Sequence, residues 1–298
     1  MKILLLGKNG QVGWELQRAL SPLGELRALD RSGANLDAPE SLRDLIRDYA
    51  PHIIINAAAY TAVDKAESDL DGAQRVNAES LAVIAAEAKQ LDAWLIHYST
   101  DYVFNGSKDG AYREDDTTAP LNVYGKTKRD GELAIVASGC KYMIFRTSWV
   151  FASRGGNFAK TMLRLAGERD SLNVVADQIG APTSAELIAD VTALAVYRLQ
   201  HDAMLAAHAS GIYHLAASGT TSWHGYAQFV IAAALKRGFV LKAIPEQVLP
   251  IPASAYPVPA LRPLNSQLDT NKLCRLLGIQ LPDWRHHVQR LVDELPQL

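Results

Sequence analysis

The 298-residue sequence predicts an α/β fold, with a doubly wound parallel sheet followed by a smaller C-terminal lobe. Short apolar runs alternate with helical patterns as far as about residue 150, as expected for right-handed strand–helix–strand crossovers. A glycine-rich turn follows the first apolar run, and beyond residue 150 the alternation loosens. We therefore expect a first domain at 1–150 and a second lobe at 151–298, with segments around 170–215 returning to the first domain.

The individual elements follow from apolar patterns with the period of a strand or of a helix. Six prolines between residues 245 and 263 disfavour a helix there and favour an ordered loop over a ligand. The patterns predict strands at 2–6, 25–29, 52–56, 93–99, 141–146, 174–178 and 211–216. They predict helices at 14–20, 40–49, 77–90, 124–136, 157–167, 185–199, 222–237 and from 282 onward.

The composition argues against several classes of function. A net charge of −2 gives no basic surface for nucleic-acid phosphates. Cys140 and Cys274 lie far apart in sequence and match no metal-binding spacing, which fits a reducing compartment. No apolar run approaches the ~20 residues that a membrane helix needs, and the apolar N-terminus is too short for a signal peptide. We expect a cytoplasmic protein with neither nucleic-acid nor membrane partners.

The glycine-rich turn predicts a dinucleotide-binding site. Gly7, Gly10 and Gly13 lie between the first predicted strand and the first predicted helix. Glycines let the backbone turn tightly and approach a pyrophosphate, and a helix N-terminus offers free N–H groups. The spacing is G-x-x-G-x-x-G instead of G-x-G-x-x-G, so an ordinary strand–helix turn is the alternative.

The residues after the second predicted strand leave the choice between NADH and NADPH open. Asp30 can accept hydrogen bonds from an adenosine ribose, which favours NAD. Arg31 can pair with a 2′-phosphate, which favours NADP. Asn35 and Leu36 are expected to lie beside the adenine.

Small residues end the third predicted strand, in the run Asn56-Ala57-Ala58-Ala59-Tyr60. At the carboxyl end of a parallel strand they let a dinucleotide lie close to the backbone. A strand end that is merely well packed is the alternative reading of the same run.

A tyrosine and a lysine four residues apart supply the candidate chemistry. Tyr124 and Lys128 share one face of a predicted helix. An ammonium near a phenol lowers its pKa, so Tyr124 can exchange a proton with a carbonyl or alcohol oxygen. Thr100, at the end of a predicted strand, stands where a hydroxyl would orient that oxygen. Alone, the Tyr/Lys spacing describes a solvated pair, and the nucleotide motif and Thr100 are what favour catalysis.

Together these motifs resemble the dTDP-4-dehydrorhamnose reductases, which belong to the extended branch of the short-chain dehydrogenase/reductase superfamily and have a Rossmann-type fold. The resemblance covers nearly the whole chain. It rests on Gly7 to Gly13, Asn56 to Glu67, Ser99 to Gly106, the Tyr124/Lys128 pair, Arg146 to Val150 and Arg262 to Ser266. It implies NAD(P)H-dependent reduction of the C4 ketone of dTDP-4-dehydro-β-L-rhamnose to dTDP-L-rhamnose, the last step of dTDP-rhamnose synthesis. The lobe at 151–298 would then bind the substrate.

The resemblance also implies residue roles. Tyr124 would donate a proton, assisted by Lys128 and Thr100. The substrate would contact Thr100, Asp101, Tyr124, Trp149 and Arg262. The cofactor would contact Gly7, Gly10, Gln11, Val12, Gly13, Asp30, Arg31, Asn35, Leu36, Ala57, Ala58, Ala59, Tyr60, Thr61, Tyr98, Tyr124 and Lys128.

The same family contains enzymes that form homodimers around Mg²⁺ held by glutamates. The matching positions in this sequence are Glu15, Glu186 and Glu294. Oxygen ligands suit Mg²⁺, although each of these glutamates taken alone is an ordinary surface residue. The resemblance therefore implies a homodimer with a magnesium site.

Two other classes of function remain open. A related sugar-nucleotide 4-ketoreductase or epimerase would share the Tyr/Lys pair, whereas dehydratases carry Thr-Asp-Glu where this chain has Thr100-Asp101-Tyr102. A non-catalytic regulatory subunit of methionine adenosyltransferase has a similar fold and similar motifs. The sequence also leaves open the stereochemistry at C4.

Overall fold

A six-stranded parallel sheet forms the centre of the protein in the computed structural model, which describes residues 1–296. The last two residues of the lobe predicted at 151–298 lie outside this range. Helices are α1 (Gln11–Leu20), α2 (Ser41–Tyr49), α3 (Val63–Ala66), α4 (Leu70–Gln74), α5 (Ser80–Gln90), α6 (Val123–Ser138), α7 (Phe158–Glu168), α8 (Ala185–His201), α9 (Ala203–His208), α10 (Trp223–Lys236), α11 (Asn271–Leu277) and α12 (Trp284–Glu294). Strands are β1 (Lys2–Leu6), β2 (Glu25–Leu29), β3 (Ile53–Asn56), β4 (Trp94–Thr100), β5 (Lys141–Thr147), β6 (Val150–Phe151), β7 (Leu172–Val175), β8 (Ile179–Gly180), β9 (Thr183–Ser184), β10 (Gly211–His214), β11 (Thr221–Ser222) and β12 (Val248–Ile251).

The strand order of the central sheet is β10-β5-β4-β3-β1-β2, and every pair in it is parallel. The predicted fold class is thereby confirmed. The chain runs from β1 to β2 on one side and then returns to β3 on the other. A crevice opens where strand order reverses in this way, at the carboxyl ends of the strands.

The two faces of the sheet bury separate apolar cores, as a doubly wound fold requires. Ile3 and Leu5 of β1 belong to the core that α1 and α8 cover. Leu4 and Leu6, the alternate residues, belong to the core that α2 and α5 cover. All four side chains are fully buried, because a strand covered on both faces has no polar side.

Later parts of the chain contribute both to the central sheet and to a separate apolar core, which we call the lobe core. β10 pairs with β5 and so extends the central sheet. The lobe core lies between α7, α10 and the parallel pair of β7 with β12. The strand predicted at 174–178 is observed two residues earlier, at Leu172–Val175.

The expectation of a loop throughout 245–263 is wrong for Val248–Ile251, which form β12. Pro250 lies within this strand and pairs in register with Val174. Proline donates no backbone hydrogen bond, but an edge strand needs donors on one side only. Burial of the apolar side chain of Val248 in the lobe core outweighs the low strand preference of proline.

The helix predicted at 77–90 begins earlier and is interrupted. A π-helical segment, Arg75–Glu79, joins α4 to α5. Its extra residue per turn changes which side chains face the sheet, and such segments are frequent at functional sites. Within the described residues, no helix is long and apolar enough to cross a membrane.

Candidate active site

A cavity of about 1300 Å³ occupies the crevice at the carboxyl ends of β1, β3, β4 and β5. It exceeds the roughly 300–1,000 Å³ of a typical small-molecule pocket, which suits two nucleotide-sized ligands. The predicted residues that line it are Gly7, Gly10, Gln11, Val12, Asp30, Arg31, Asn35, Leu36, Ala57, Ala58, Ala59, Tyr60, Thr61, Tyr98, Thr100, Asp101, Tyr124, Lys128 and Trp149. Gly13 and Arg262 do not line it.

The glycine turn brings the backbone of β1 against the backbone that follows β3. Gly7 adopts a φ of +88°, and a Cβ there would lie 2.6 Å from the backbone nitrogen of Ala58. The first N–H groups of any helix lack intrahelical partners. In α1, which begins after Gly10, no side chain caps them either. This open helix N-terminus fits the pyrophosphate of a dinucleotide.

Asp30 is held ready at the end of β2. Its carboxylate accepts bonds from the hydroxyl of Ser32 at 2.6 Å and from Asn9 at 3.2 Å, with Lys8 at 3.4 Å. The Ser32 bond is the main reason that the pKa of Asp30 falls to about 2. Arg31 forms an ion pair with Asp37 and remains largely exposed. The carboxylate of Asp30 and the exposed guanidinium of Arg31 thus both lie in the lining of the cavity.

Asn77 of the π-helical segment clamps the turn after β3. Its carboxamide accepts from the backbone N–H of Tyr60 at 2.9 Å and donates to the Tyr60 carbonyl at 3.1 Å. It also lies 3.1 Å from the hydroxyl of Thr127 on α6. One buried side chain therefore ties the cofactor turn to the helix that carries Tyr124.

Helix α6 approaches the end of β4 very closely. Asn122 caps it by accepting from the backbone nitrogen of Gly125 at 2.8 Å. A Cβ on Gly125 would lie 2.2 Å from the carbonyl oxygen of Tyr102, so only glycine allows this contact. Tyr124, in the first turn, is thereby brought beside the residues that follow β4.

The three predicted catalytic side chains meet in the cavity, but their electrostatics differ from the sequence-based expectation. Burial raises the pKa of Tyr124 to about 12, opposed by its hydrogen bond with Thr100. The amine of Lys128 points away from the phenol, donating to the carbonyl of Tyr98 at 2.7 Å and lying 2.9 Å from His97 Nε2. Burial lowers its own pKa to about 7. Tyr124 is therefore a firmly protonated phenol in this structure, which suits a proton donor.

Asp101 lies next to Thr100 and is almost fully buried. Thr100 donates to its carboxylate at 3.1 Å, and the backbone N–H of Tyr102 donates to the Thr100 hydroxyl at 3.1 Å. Burial raises the pKa of Asp101 to about 6. The Thr100 side chain is thus fixed in orientation before any ligand binds.

Two stacked tryptophans line the cavity. The ring centroids of Trp149 and Trp223 are 3.7 Å apart and the rings are nearly parallel, with an interplanar angle of 15°. Trp149 has a φ of +47°, a conformation that side-chain-bearing residues rarely adopt. Trp223 comes from α10, and the sequence pattern did not single it out.

Several polar atoms of the cavity lack partners in the described part of the chain; Gln11 is among the predicted residues, whereas Ser99 and Thr147 were missed by sequence reasoning. The hydroxyls of Ser99 and Thr147 and the carboxamide oxygen of Gln11 are buried without a hydrogen-bond partner in residues 1–296. All three residues line the cavity. Buried polar groups rarely lack partners, so these atoms fit contacts with a ligand. Ser99 and Thr147 share with Thr100 the signal that identified it, namely a hydroxyl at the end of a parallel strand.

Arg262 is the predicted substrate residue that does not line the cavity. Its guanidinium donates two bonds to Asp64, at 2.8 and 3.1 Å. This bidentate pair links the proline-rich segment to α3. The direct substrate contact that the resemblance implies for Arg262 stays a prediction.

The three glutamates implied as metal ligands are near one another but are paired with arginines. Arg290 lies 3.1 Å from Glu186 and 3.2 Å from Glu294, and Arg18 lies 3.5 Å from Glu15. Burial raises the pKa of Glu186, and the other two glutamates raise it further. Across residues 1–296 no three side chains form a ready metal-binding group.

Comparison with known proteins places the chain in a family. The family model described as the RmlD substrate binding domain matches residues 1–297. The chain belongs to this family. dTDP-4-dehydrorhamnose reductase of Escherichia coli K12 is 52% identical over 299 residues, covering 99% of this chain and 98% of the relative. The enzyme of that name from Burkholderia thailandensis is 49% identical, covering 99% of both chains.

Solved structures agree with the RmlD-family assignment. The dTDP-4-dehydrorhamnose reductase of Bacillus anthracis, solved in complex with NADP, has a TM-score of 0.87 at 34% identity and covers 99% of both chains. UDP-glucose 4-epimerase of Thermus thermophilus, in complex with NAD, has a TM-score of 0.78 at 17% identity over 98% of both chains. The second likeness supports the fold alone.

Proposed function

We infer that this chain is a dTDP-4-dehydrorhamnose reductase, which uses NADPH or NADH to reduce the C4 ketone of dTDP-4-dehydro-β-L-rhamnose to dTDP-L-rhamnose. The observation that carries this inference is 52% identity over 99% of the chain to a relative of that name. The meeting of Thr100, Tyr124 and Lys128 in one cavity supports it independently. The reaction closes the synthesis of dTDP-rhamnose.

The residues of the cavity supply a proton and orient the reacting oxygen. The reduced nicotinamide, when bound, supplies the hydride. Tyr124 gives its proton to the oxygen on C4 as charge develops there. Thr100 accepts from the backbone N–H of Tyr102 and would turn its one hydroxyl proton from Asp101 to the same oxygen. A donor aimed at developing charge can be worth about 3–4 kcal/mol.

We propose that the dinucleotide cofactor binds in the part of the cavity nearest β1 and β2. The open N-terminus of α1 and the turn at Gly7 fit the pyrophosphate, and Asp30 fits the adenosine ribose. The Ala57 to Thr61 turn and Tyr98 line the route toward the nicotinamide. Trp149 and Asp101 remain our proposed substrate contacts, and Trp223 joins them.

We also propose the predicted division of the chain, with the cofactor on 1–150 and the substrate mainly on 151–298. β10 pairing with β5 supports the return of the segment around 170–215 to the first part. Since dTDP-sugars and reduced nicotinamides are metabolites of the cytoplasm, we assign the protein to that compartment.

We propose in addition a homodimer that binds Mg²⁺ through Glu15, Glu186 and Glu294. The carboxylates fit a cation that prefers oxygen ligands, and Arg290 now occupies the position of a competing cation. Sedimentation with Mg²⁺ and with a chelator tests this. A dimer that dissociates on chelation is expected, and a mass unaffected by the metal contradicts the role of the ion.

The reductase activity is tested by oxidation of NADPH, and separately of NADH, with dTDP-4-dehydro-β-L-rhamnose generated in situ. Stoichiometric consumption with dTDP-L-rhamnose as product is expected, and the two rates give the cofactor preference. Absence of consumption by folded protein contradicts the reductase. Retained cofactor would then indicate an epimerase, and lack of cofactor with tight binding to a methionine adenosyltransferase subunit would indicate a regulatory protein.

A further inference from the structure

His97 connects the candidate catalytic lysine to the strand beneath the cofactor turn. It lies on β4, is only 1% exposed, and does not line the cavity. Its Nδ1 is 3.3 Å from the carboxamide nitrogen of Asn56 on β3, and its Nε2 is 2.9 Å from the amine of Lys128 on α6. His97 therefore reaches the cavity only through its two partners, Asn56 and Lys128, which both line it.

The direction of each hydrogen bond from Asn56 through His97 to Lys128 follows from the contact of Asn56 with Ala58. The backbone N–H of Ala58 donates to the carboxamide oxygen of Asn56 at 3.1 Å, so the carboxamide nitrogen of Asn56 faces His97. That nitrogen can only donate, so Nδ1 of His97 must accept. A neutral imidazole that accepts at Nδ1 carries its proton on Nε2.

The Nε2 proton then points at Lys128, which decides the form of the lysine that fits. An ammonium has three protons and no lone pair, so it cannot accept from Nε2–H. A neutral amine can accept that bond and still donate to the carbonyl of Tyr98, 2.7 Å away. The neutral amine is therefore the form of Lys128 that is compatible with both His97 and the Tyr98 carbonyl.

We propose that His97 is a positioning residue for Lys128, which donates its Nε2–H to the lysine and holds it as a neutral amine in the cofactor-free protein above neutral pH. Burial lowers the pKa of Lys128 to about 7, which agrees with this arrangement. Burial first, and then the charge of Lys128, lower the pKa of His97 well below its ordinary value. The two groups thus exclude each other's charge.

The other groups around Lys128 do not reverse this balance. Glu132, one turn along α6, favours the ammonium, but its carboxylate is shared with the buried guanidinium of Arg146 on β5, at 2.6 and 2.9 Å. Tyr124 on the same helix is neutral, with its pKa raised to about 12. Tyr98 on β4 presents only its carbonyl to the amine.

The arrangement has a kinetic consequence that rests on the proposed reductase function. A positive charge on Lys128 helps Tyr124 to release its proton, so the protonated lysine is the form that assists reduction. Since His97 disfavours that form, kcat/KM for reduction should fall as the pH rises through about 7. Without the Nε2–H donor, this decrease should occur at higher pH.

The first experiment reads the tautomer directly and needs no turnover. Histidine labelled with nitrogen-15 distinguishes Nδ1–H, Nε2–H and imidazolium by heteronuclear NMR, and the signals of His97 are those lost in His97→Gln. We expect the Nε2–H form without imidazolium above about pH 7, where the amine of Lys128 is neutral. An Nδ1–H form or an imidazolium overturns the proposal, whether or not the protein is a reductase.

The second experiment compares pH profiles of His97→Gln and a matched control. The glutamine oxygen can accept from an ammonium, so the descending limb of kcat/KM should move up by about one pH unit or more, a tenfold change in proton affinity. His214→Gln is the control, because His214 is also buried, at the end of β10, and its pKa is lowered to about 3. Its limb should not move.

A merely structural role for His97 predicts a different result. The rate would then fall by the same factor at every pH, with the limb in place, and that outcome overturns the proposal. Binding of NADPH at low pH and the melting temperature are measured alongside to confirm folding. If His97→Gln does not fold, the tautomer of the unsubstituted protein, with its signals assigned through the bonded Asn56, decides the question.

Discussion

The proposed cofactor end and the proposed substrate end of the cavity are built in different ways. At the cofactor end, short turns follow consecutive strands of one regular sheet, and backbone groups do much of the proposed binding. At the substrate end, Trp149 stacks on Trp223, which belongs to a helix far along the chain. The cofactor end depends on close backbone packing, and the substrate end depends on side chains brought together by the tertiary fold.

This difference predicts which changes abolish the reaction and which only weaken substrate binding. Substitutions of residues that follow the strands of the central sheet, or that lie on α6, should change turnover, cofactor affinity or stability by large factors. A substitution in the tryptophan stack should affect one ligand by a small factor. The predictions below test this contrast.

The largest effect is expected from Tyr124→Phe, because the phenol is the proposed proton donor. Turnover should fall by several hundredfold or more, corresponding to about 3–4 kcal/mol, while cofactor binding persists. Tyr213→Phe is the control, since that buried phenol donates to the carbonyl of Ala209 outside the cavity. Near-normal turnover by the Tyr124 variant would remove the tyrosine from the mechanism.

Gly7→Ala should damage the cofactor end next most strongly. The added Cβ would lie 2.6 Å from the backbone of Ala58 at a positive φ, so the turn must shift. We expect NADPH affinity to fall by at least about tenfold, measured by fluorescence titration, with a lower melting temperature. Gly139→Ala separates the causes, because Gly139 also has a positive φ but no atom within 4 Å of its Cβ. An equal decrease in melting temperature in both variants would show that backbone strain, and not crowding by the added Cβ, destabilises the Gly7 variant.

Lys128→Met should stabilise the protein while impairing reduction. Burial lowers the pKa of Lys128 from 10.5 to about 7 in the folded state. Between these values the unfolded chain binds a proton that the folded one does not, so this lysine makes stability rise with pH. Its cost is complete below about pH 7 and vanishes near pH 10.5. The melting temperature of the variant should exceed that of the parent by several degrees at neutral pH, and the gap should close toward high pH. A gap that is constant with pH would contradict the shifted pKa.

The smallest effect is expected from Trp223→Ala, at the substrate end. Loss of one stacking partner costs about 1 kcal/mol, so KM for the sugar nucleotide should rise about fivefold. The affinity for NADPH should stay unchanged, and Trp223→Phe should restore most of the KM. A change in NADPH affinity as large as that in KM would contradict the proposed separation of the two ends.

Local sequence patterns were sufficient to predict the central sheet and its helices, but not two irregular segments elsewhere in the fold. Most predicted strand and helix bounds are observed within a few residues, because each is a continuous apolar or amphipathic run. The strand Val248–Ile251 was predicted as loop, because its prolines are tolerated only at the edge of a small sheet. The π-helical segment at Arg75–Glu79 was missed, because its pattern continues that of a normal helix.

The sequence by itself determined the fold class, the glycine turn, the family resemblance and most of the residues that meet in the cavity, because these depend on short local motifs and their order. Only the tertiary structure decided how those residues behave. It turned Lys128 toward His97 and away from Tyr124, and it raised the pKa of Tyr124 through burial. It also placed Arg262 on Asp64 and Trp223 against Trp149. Burial and long-range contacts set protonation and partners, and neither is encoded in the spacing of a motif.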